Sequence, residues 1–335
     1  MTQMAQMAEA FPEILAGFAG RRIAVVGDAI LDRYLIGESE RLSREAPVPV
    51  LELQEHRQIL GGAANPAANL AQWSAEVSFV TAIGADETGN TLLQLLEEKG
   101  IPHSACITLP QRSTAEKTRI LARSGLRSPQ QLARLDRGAR RQTLAAEEEA
   151  QLCDAIHQLP KLDALLCSDY GGGVLSARIL EAVREKAKVD SALLTSDAQA
   201  RLANYQGFDL VKCNAAEAAA ELARTLQSAD DFSSAVQELR QRLACGALVI
   251  TRGAAGATLA AGPSSAEHIA APAVTDVYDT VGAGDTTIAV LTLALVCGAT
   301  PPEAVHLANI AGGIVVRHFG NYTPTLAEIC NELAR

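Results

Sequence analysis

A glycine-rich segment near the C-terminus combines residues suited to the transfer of a charged group. It reads Asp279-Thr280-Val281-Gly282-Ala283-Gly284-Asp285 and continues directly into an apolar stretch of helical character, residues 286–297. Glycines at a helix start let the backbone approach a ligand closely, and the unpaired amides there attract anions. Asp285 could then accept a proton from an attacking hydroxyl while the amides stabilise a phosphoryl group in transit. The alternative is an ordinary turn in which Asp285 only caps the helix, because short glycine motifs recur by chance.

Two further motifs have the composition of ligand-binding turns. Gly61-Gly62-Ala63-Ala64-Asn65 opens a predicted helix, so its glycines permit close approach of a sugar whose hydroxyls Asn65 could bind. A turn capped by Asn65 is the alternative. Asn214-Ala215-Ala216-Glu217 follows a predicted strand and resembles a capping box, with Glu217 three residues after the N-cap. The same residues could organise Mg²⁺ and phosphate, with Glu217 reaching the metal through water, and both roles can hold together.

The elements that must position these motifs alternate between short buried strands and helices. Apolar runs, often ending in a polar residue or glycine, predict strands at residues 21–28, 77–84, 163–168, 192–197, 208–214 and 247–252. Helical patterns lie between several of them, at residues 66–73, 88–99, 147–158, 177–188 and 215–226. This alternation predicts an α/β fold, a mostly parallel sheet covered on both faces, with ligands beyond the carboxyl ends of the strands.

Two segments interrupt the alternation of strand and helix. Residues 34–60 and about 105–136 have strand-like patterns outside the main series. We interpret them as strands of a small lid. Because no repeat, low-complexity tract or linker divides the chain, we predict one domain spanning residues 1–335.

The composition disfavours some classes of partner. The formal charge is −10, whereas a nucleic-acid-binding protein usually carries a basic face. Residues 1–20 lack the early basic cluster of a signal peptide, and the apolar stretch 288–299 is too short to span a bilayer. We therefore expect a cytoplasmic protein without a nucleic-acid or membrane partner.

Taken together, the motifs resemble those of the ribokinase-like (PfkB) carbohydrate kinases. The early G-G-x-x-N and the late D-T-x-G-A-G-D look like the two signatures of that family, and Asn214 to Glu217 matches its N-x-x-E motif. Thr251-Arg252-Gly253 matches its T-x-G strand end near the nucleotide. The resemblance covers roughly residues 20–330 and implies a three-layer sandwich, a mostly parallel central sheet flanked by helices, with a small β-strand lid.

Within this family, the sequence most resembles the kinases of D-glycero-D-manno-heptose 7-phosphate, which serve lipopolysaccharide precursor synthesis. Residues 27–34, G-D-A-I-L-D-R-Y, look like their G-D-x-x-L-D-R-Y. Residues 41–50, R-L-S-R-E-A-P-V-P-V, look like their R-I-S-P-E-A-P-V-P-V. Ser168-Asp169-Tyr170 and Val277-Tyr278-Asp279 also fit.

The resemblance implies a role for each matching position. Asp285 would be the catalytic base, and Gly282, Ala283 and Gly284 would form the anion hole. The sugar-binding residues would be Asp28, Asp32, Arg33, Gly61, Gly62, Asn65, Lys117, Arg119 and Asp169. The residues near ATP and Mg²⁺ would be Asn214, Glu217, Thr251, Gly253, Gly256 and Asn309. Family members commonly form homodimers through paired lids, and many respond to a monovalent cation such as K⁺.

The sequence departs from the heptose kinases at a few positions. Those enzymes usually have D-P-K where this chain has Asp197-Ala198-Gln199, so a lysine that could meet phosphate is missing. Arg44 stands where they usually have proline, and Arg317-His318-Phe319-Gly320 replaces their G-K-L-G. These changes touch the lid and the nucleotide edge and leave the phosphoryl-transfer motifs intact.

The predicted reaction is ATP-dependent phosphorylation of C1 of D-glycero-D-manno-heptose 7-phosphate to the 1,7-bisphosphate. The candidates for binding the 7-phosphate are Arg33, Arg44, Lys117, Arg119 and Arg123. No histidine pair forms the H-x-G-H of a nucleotidyltransferase, so a separate adenylyltransferase is expected.

One alternative is a ribokinase, fructokinase or nucleoside kinase acting on a primary alcohol. Another is a non-catalytic sugar- or nucleotide-binding regulator. A dehydrogenase is disfavoured because no G-x-G-x-x-G follows the strand ending at Gly27.

Overall fold

Strands and helices alternate along the part of the chain that the computed structural model describes, residues 3–123, 129–138, 141–199, 201–262, 266–274 and 276–334. The strands in these residues are β1 (Arg22–Gly27), β2 (Ala29–Leu42), β3 (Pro49–Gly62), β4 (Glu76–Gly84), β5 (Cys106–Leu109), β6 (Ala115–Arg123), β7 (Gln130–Arg137), β8 (Ala164–Asp169), β9 (Leu193–Ala198), β10 (Leu210–Asn214), β11 (Ala247–Thr251), β12 (Ala257–Ala261) and β13 (Glu267–Ile269). The α-helices are α1 (Gln3–Ala16), α2 (Ala64–Gln72), α3 (Glu87–Glu98), α4 (Ala146–His157), α5 (Ala177–Asp190), α6 (Ala215–Glu221), α7 (Ala229–Leu243), α8 (Ala283–Val296), α9 (Pro301–Val315) and α10 (Leu326–Leu333).

The main sheet contains nine strands in the order β13-β12-β11-β10-β9-β8-β1-β4-β5. Strands from β11 to β5 in this order run parallel, whereas β12 and β13 add an antiparallel edge. All six predicted strands of the main series lie in this sheet. The predicted fold class, a mostly parallel α/β sheet flanked by helices, is confirmed.

The central strands are apolar on both faces because helices cover both sides of the sheet. Side chains alternate along β1: Ile23 and Val25 enter one core, and Ala24 and Val26 enter the other. Helices α1 to α3 and α8 to α10 contribute to the first core, and α4 to α7 contribute to the second. Helix α8 is buried from Asp285 to Ala294, which is typical of a central helix. None of the described helices combines the length and apolar content needed to cross a membrane.

A second sheet of four strands, in the order β3-β2-β6-β7, stands apart from the main one. It contains most of the predicted segments 34–60 and 105–136, although residues 124–128 lie outside the described residues. One part of that prediction is wrong: Cys106–Leu109 pairs in parallel with Thr81–Gly84 at the edge of the main sheet. The apolar alternation of a short edge strand does not reveal which sheet it joins. The second sheet is also longer than predicted, since β2 begins at Ala29 and β3 extends to Gly62.

Two glycines allow the second sheet to meet the main sheet closely. The chain leaves β1 through Asp28 and enters β2, while β3 ends at Gly61 and Gly62 just before α2. Gly62 has a φ of 56°, and a Cβ there would overlap the Asp28 carbonyl. A Cβ on Gly61 would overlap the Asp32 carboxylate. The close approach of the two strand ends therefore requires glycine at both positions.

Gly27 provides a test of the packing at this junction. A Cβ at residue 27 would overlap the Ser168 carbonyl of the neighbouring strand and lie 2.9 Å from the Ala63 Cβ. We expect Gly27→Ala to lower the free energy of unfolding by about 2 kcal/mol, because both neighbours lie in packed elements. Urea denaturation followed by far-UV circular dichroism measures this change.

Gly312→Ala in α9 is the matched control for Gly27→Ala. The nearest atom to its added Cβ would be Thr287 Oγ1 at 3.6 Å, an ordinary contact. Because alanine is the better helix former, this substitution should be neutral or stabilise by up to about 1 kcal/mol. Equal losses of stability in the two variants would contradict the packing described for Gly27.

Candidate active site

The glycine-rich segment and the early glycine pair meet at the carboxylate of Asp285. This residue lies in the first turn of α8 and is 6% exposed. Its Oδ2 accepts a hydrogen bond from Asn65 Nδ2 at 2.7 Å, and its Oδ1 accepts one from the Tyr170 hydroxyl at 2.6 Å. Asn65 belongs to α2, directly after Gly61 and Gly62. The structure thus brings together the two motifs that the sequence predicts to face each other.

Burial sets the protonation behaviour of Asp285. Loss of hydration and the nearby Asp197 carboxylate raise its pKa to about 6, against the lowering effects of hydrogen bonds from Tyr170 and Asn65 and of the Lys212 charge. At neutral pH the carboxylate is still mostly ionised. A pKa close to the working pH suits a group that must accept a proton and later release it.

The start of α8 has the geometry of an anion site. Gly282, its N-cap, has a φ of 83°, and a Cβ there would lie 2.9 Å from Asn321 Oδ1. The first-turn amides of a helix lack intrahelical partners, so those of residues 282–284 point out of the helix start. The Ala283 amide has only a long contact of 3.4 Å, to the Thr280 carbonyl. The predicted anion hole therefore lies beside the Asp285 carboxylate, on the same turn.

Asp32, predicted to bind sugar, forms a buried ion pair in this structure. Its Oδ1 binds Arg119 Nη1, and its Oδ2 accepts a hydrogen bond from Asn321 Nδ2 at 2.9 Å. Asp32 and Arg119 are 4% and 7% exposed. Arg119 also lies over the Tyr34 ring, 5.2 Å from its centroid. Asp32 therefore links the second sheet to the segment that contains Asn321, and Arg119 pairs with Asp32 within the sheet. The contact of both residues with a sugar stays a prediction.

Asp28 and Asp169, also predicted to bind sugar, anchor the loop that carries Tyr170. The Asp28 carboxylate accepts hydrogen bonds from three backbone amides, those of Tyr170, Gly172 and Val174. Asp169 accepts from the Tyr205 hydroxyl at 2.7 Å and from the Gly171 amide at 2.8 Å, and burial raises its pKa. Both carboxylates thus position Tyr170, which binds Asp285, and direct sugar contacts stay a prediction for them.

Most of the predicted phosphate-binding cations are already paired. Three of them form ion pairs: Arg33 with Glu116 at 3.2 Å, Arg119 with Asp32, and Arg123 with Glu55 at 3.7 Å. Arg44 is exposed in the turn between β2 and β3. Lys117 differs, because its ammonium lies 5.0 Å from the centroid of the Tyr170 ring and burial lowers its pKa. Lys117 is thus the predicted cation that the structure places against a residue bound to Asp285.

The predicted nucleotide side begins with a complete capping box. Glu217 Oε2 accepts from the Asn214 amide and its Oε1 accepts from Asn214 Nδ2, both at 2.6 Å, while the Glu217 amide donates to Asn214 Oδ1 at 2.9 Å. The structural role predicted for this motif is confirmed. Two cavities flank it, one of about 410 Å³ lined in part by Asn214, Thr251 and Gly253, and one of about 480 Å³ lined in part by Gln199 and Glu217.

The other predicted nucleotide residues surround the end of β11. Thr251 Oγ1 donates to the Cys213 carbonyl at 3.4 Å. Gly253 and Gly256 have φ values of 58° and 82°, and both shape the turn between β11 and β12. Asn309 Nδ2 donates to the carbonyl of Ile269 at 2.9 Å, so it ties α9 to the end of β13. Thr251 and Gly253 line the smaller cavity, while Asn309 has a structural contact and its nucleotide role stays a prediction.

A buried ion pair between Lys212 and Asp197 lies next to Asp285 and was not predicted. Lys212 Nζ donates to Asp197 Oδ2 at 2.7 Å, and a Cβ on Gly284 would lie 3.1 Å from that nitrogen. Charges of Asp197, Glu217 and Asp285 all favour the protonated lysine, so its pKa is raised despite burial. The sequence signal was one charged residue within the apolar end of each of two strands. The register Lys212↔Asp197 places these two residues side by side.

The charges around Asp285 fit a divalent cation bound together with ATP. Three carboxylates, those of Asp197, Glu217 and Asp285, raise the pKa of a single ammonium, that of Lys212. Asp197 Oδ1 is buried without a hydrogen-bond partner among the described residues, so it can accept from a metal-bound water. The described residues contain no cluster of three or more metal-ligating side chains. This arrangement suits Mg²⁺, which keeps several waters and binds mainly through substrate phosphates.

Sequence comparison connects these features with known kinases. The model of the pfkB family carbohydrate kinases matches residues 21–328. The bifunctional protein HldE of Paramagnetospirillum magneticum is 35% identical over 322 residues, which is 96% of this chain and 64% of that protein. HldE of Citrifermentans bemidjiense is 36% identical over 314 residues, 93% of this chain and 63% of that protein. The chain therefore spans less than two thirds of the length of these relatives.

Solved structures share the fold at lower sequence identity. Phosphofructokinase-2 from Escherichia coli, in complex with substrates and products, has a TM-score of 0.76 at 20% identity, covering 94% of this chain and 98% of the other. Arabidopsis thaliana ribokinase, complexed with ribose and ATP, has a TM-score of 0.72 at 18% identity, covering 95% and 99%. The fold is thus that of ribokinase. Since the family model matches nearly the whole chain, the predicted resemblance is confirmed and the chain belongs to the pfkB family of carbohydrate kinases.

Proposed function

We propose that this chain transfers the terminal phosphoryl group of ATP to the C1 hydroxyl of D-glycero-D-manno-heptose 7-phosphate, giving the 1,7-bisphosphate. The observation that carries the proposal is the buried Asp285 carboxylate at the start of α8, bonded to Asn65 from the glycine-pair motif. The similarity to HldE proteins over more than nine tenths of the chain supports the choice of substrate. ATP and sugar phosphates are cytoplasmic metabolites, so we propose the same compartment for the enzyme.

Asp285 acts as the general base in the proposed reaction. The sugar hydroxyl lies against its carboxylate, gives up its proton to it, and attacks the γ-phosphorus while the bond to ADP breaks. The amides of Gly282, Ala283 and Gly284 stabilise the charge on the transferring oxygens. Asn65 and Tyr170 hold the carboxylate in place through two hydrogen bonds. The protein contributes alignment and charge compensation and forms no covalent intermediate.

ATP and Mg²⁺ lie on the side of Asn214 and Glu217 in this proposal. Thr251, Gly253 and Gly256 shape the nucleotide site next to the Asn214 capping box, with Asn309 behind it. Glu217 and Asp197 would hold waters of a Mg²⁺ ion, which would neutralise charge on the phosphates. We further propose that a monovalent cation such as K⁺ supports activity, by analogy within the family.

The second sheet supplies the acceptor side in this proposal. Asn65 binds Asp285 and follows Gly61 and Gly62 in the chain. Asp28 and Asp169 fix the backbone of the loop that carries Tyr170, and Asp32 binds the Asn321 side chain. Closure of this sheet over the sugar would exclude water, which would otherwise hydrolyse ATP. Lys117 provides the cation for the 7-phosphate, because Arg33 and Arg119 are already paired with carboxylates.

One observation favours a second candidate, a kinase for an unphosphorylated sugar or nucleoside with a primary alcohol. Arg33, Arg119 and Arg123 are paired with carboxylates, so few free cations remain for a 7-phosphate. An unphosphorylated acceptor needs no such cation. A non-catalytic regulator is less well supported, because a buried base with a raised pKa at a helix start is costly to keep without a chemical role.

Asp285→Asn tests the proposed base through activity and stability together. We expect kcat with heptose 7-phosphate to fall at least about 100-fold, because the amide cannot accept the proton. Since burial raises the pKa of Asp285 to about 6, the ionised carboxylate destabilises the fold above that pH. The variant should therefore be more stable than wild type by about 2 kcal/mol at pH 8, and the gain should vanish as pH falls from 6 to 4. Coupled ADP release measures kcat, and urea titrations at pH 8 and pH 4 measure the change in stability.

Asp163→Asn is the matched control, because it makes the same chemical change but should shift stability at pH 8 in the opposite direction. Hydrogen bonds and the charge of Arg22 outweigh burial and lower the pKa of Asp163, so its carboxylate stabilises the fold above its ordinary pKa. This variant should lose stability at pH 8 and keep kcat, since residue 163 lies at the opposite end of β8 from Tyr170. A normal kcat for Asp285→Asn would rule out the proposed base.

Lys117→Met tests whether this cation binds the sugar phosphate. We expect KM for heptose 7-phosphate to rise about 10-fold or more, since a charge-assisted contact is lost, with a smaller effect on KM for ATP. Steady-state kinetics with each substrate varied in turn separate the two constants. Lys161→Met, at an exposed position before β8, is the control and should leave both unchanged. A Lys117 variant with wild-type KM for the sugar phosphate would favour the unphosphorylated acceptor.

We also propose that two copies of the chain pair through the four-stranded sheet. Exposed leucines on three of its strands support this: Leu42, Leu53, Leu132 and Leu135 are 68%, 60%, 47% and 60% exposed. Apolar side chains in such number on one small sheet indicate a protein-binding surface. Because homodimers with twofold symmetry are the commonest soluble assemblies, a second copy is the simplest partner.

Leu53→Glu combined with Leu135→Glu tests this pairing. Both side chains are exposed within one chain, so the substitution should not affect the fold but should place charge in the dimer interface. We expect light scattering coupled to gel filtration to show a dimer for wild type and a monomer for the variant. Val189→Glu, at an 81% exposed position on α5, is the control and should remain dimeric. A monomeric wild type would contradict the proposal.

A further inference from the structure

In the buried ion pair of Lys212 and Asp197, the carboxylate is already proposed to hold a water of Mg²⁺, whereas the lysine has no role in the reaction described above beyond its charge. Both residues lie near the carboxyl ends of neighbouring parallel strands, with side chains 5% and 2% exposed. Burying two charges costs several kcal/mol of hydration, and a well-packed apolar pair is often at least as stable. Stability alone is therefore a weak reason for a lysine at this place in the sheet.

The position of Lys212 relative to α8 indicates what its ammonium can contact. A Cβ on Gly284 would lie 3.1 Å from Lys212 Nζ, so the ammonium lies directly against the start of that helix. The amides of residues 282–284 belong to the same turn, which also carries Asp285. Because the Gly284 side is open, an oxygen held by these amides can approach the ammonium. Glycine at residue 284 keeps that approach free.

Lys212 has the charge and the free N–H groups needed to bind an anion. Lys212 Nζ lies 2.7 Å from Asp197 Oδ2, and this ion pair places a positive charge beside the start of α8. The hydrogen bond to Asp197 occupies one of its three donors. The remaining N–H groups are available for phosphate oxygens. An ammonium in a buried, low-dielectric site stabilises developing negative charge far more than one in water.

We propose that Lys212 binds the phosphoryl group during its transfer from ATP to the sugar, and that Asp197 is the residue that positions it. The proposal rests on the proposed kinase function. Lys212 stays protonated throughout: the hydroxyl proton passes to Asp285, the new bond forms between the sugar oxygen and phosphorus, and the bond between phosphorus and ADP breaks. The ammonium compensates charge on the non-bridging oxygens.

This role also accounts for the departure at Gln199. Heptose kinases usually carry D-P-K at residues 197–199, whereas here the third position is an exposed Gln199. Lys212 on the adjacent strand pairs in register with Asp197, two residues before Gln199. Lys212 on β10 therefore places a cation beside Asp197 in a chain that has no lysine at residue 199.

The test compares the charged pair with an uncharged pair. In Asp197→Asn/Lys212→Met no buried charge is left alone, so the fold should be retained, which a thermal melt checks. We expect kcat with heptose 7-phosphate to fall about 100-fold. Calorimetric titration with Mg²⁺ and either AMP-PNP or ADP gives a readout apart from turnover. Affinity for AMP-PNP should fall about 10-fold while affinity for ADP changes little, because only AMP-PNP carries the γ-phosphate.

Two further variants distinguish phosphate binding from a structural role. Adding Gln199→Lys to the double variant restores a lysine near the phosphates and should recover at least about 10-fold in kcat. Lys212→Arg keeps the charge and should keep the preference for AMP-PNP over ADP. Wild-type kcat and an unchanged AMP-PNP preference in the double variant would overturn the proposal, as would loss of that preference in a folded Lys212→Arg. If wild type phosphorylated no sugar, the proposed function would fail, while the nucleotide titrations would still decide the role of Lys212.

Discussion

The burial of one carboxylate at the start of a helix is the constraint on which this site depends. Asp285 is held by Asn65 and Tyr170, and these two residues reach it from α2 and from the loop after β8. Both contacts exist only because α2 and α8 pack on the same face of the main sheet and β8 ends beside them. Water is largely excluded, and the resulting rise in the pKa of Asp285 to about 6 gives the carboxylate its affinity for a proton.

The acidic residues nearby make charge compensation the second requirement. Asp197, Glu217 and Asp285 concentrate negative charge where a phosphoryl group must pass, and Lys212 offsets only part of it. The amides of the helix start and a nucleotide-bound Mg²⁺ would supply the rest. An aspartate next to a phosphate is thus tolerable because dipoles and cations surround it.

The order of elements and the main motifs could be read from the sequence because they depend on local patterns. Apolar runs specify the buried strands, and the glycines at residues 61, 62, 282 and 284 indicate close approach of the backbone. The placement of Cys106–Leu109 in the main sheet could not be read, since a short strand pairs according to tertiary contacts. Ion pairs were missed for the same reason. Arg119 looks like a free cation in sequence, yet it lies opposite Tyr34 in the register of β2 and β6, and its guanidinium reaches Asp32 two residues earlier on β2.

The most direct test of the account is acceptor specificity. ADP release by the wild-type chain would be measured with heptose 7-phosphate, fructose, ribose and adenosine side by side, at saturating Mg-ATP. The account predicts a kcat/KM for heptose 7-phosphate at least about 100-fold above that for each other acceptor, because the site must bind both a hydroxyl and a phosphate. A higher kcat/KM for any unphosphorylated acceptor would contradict it.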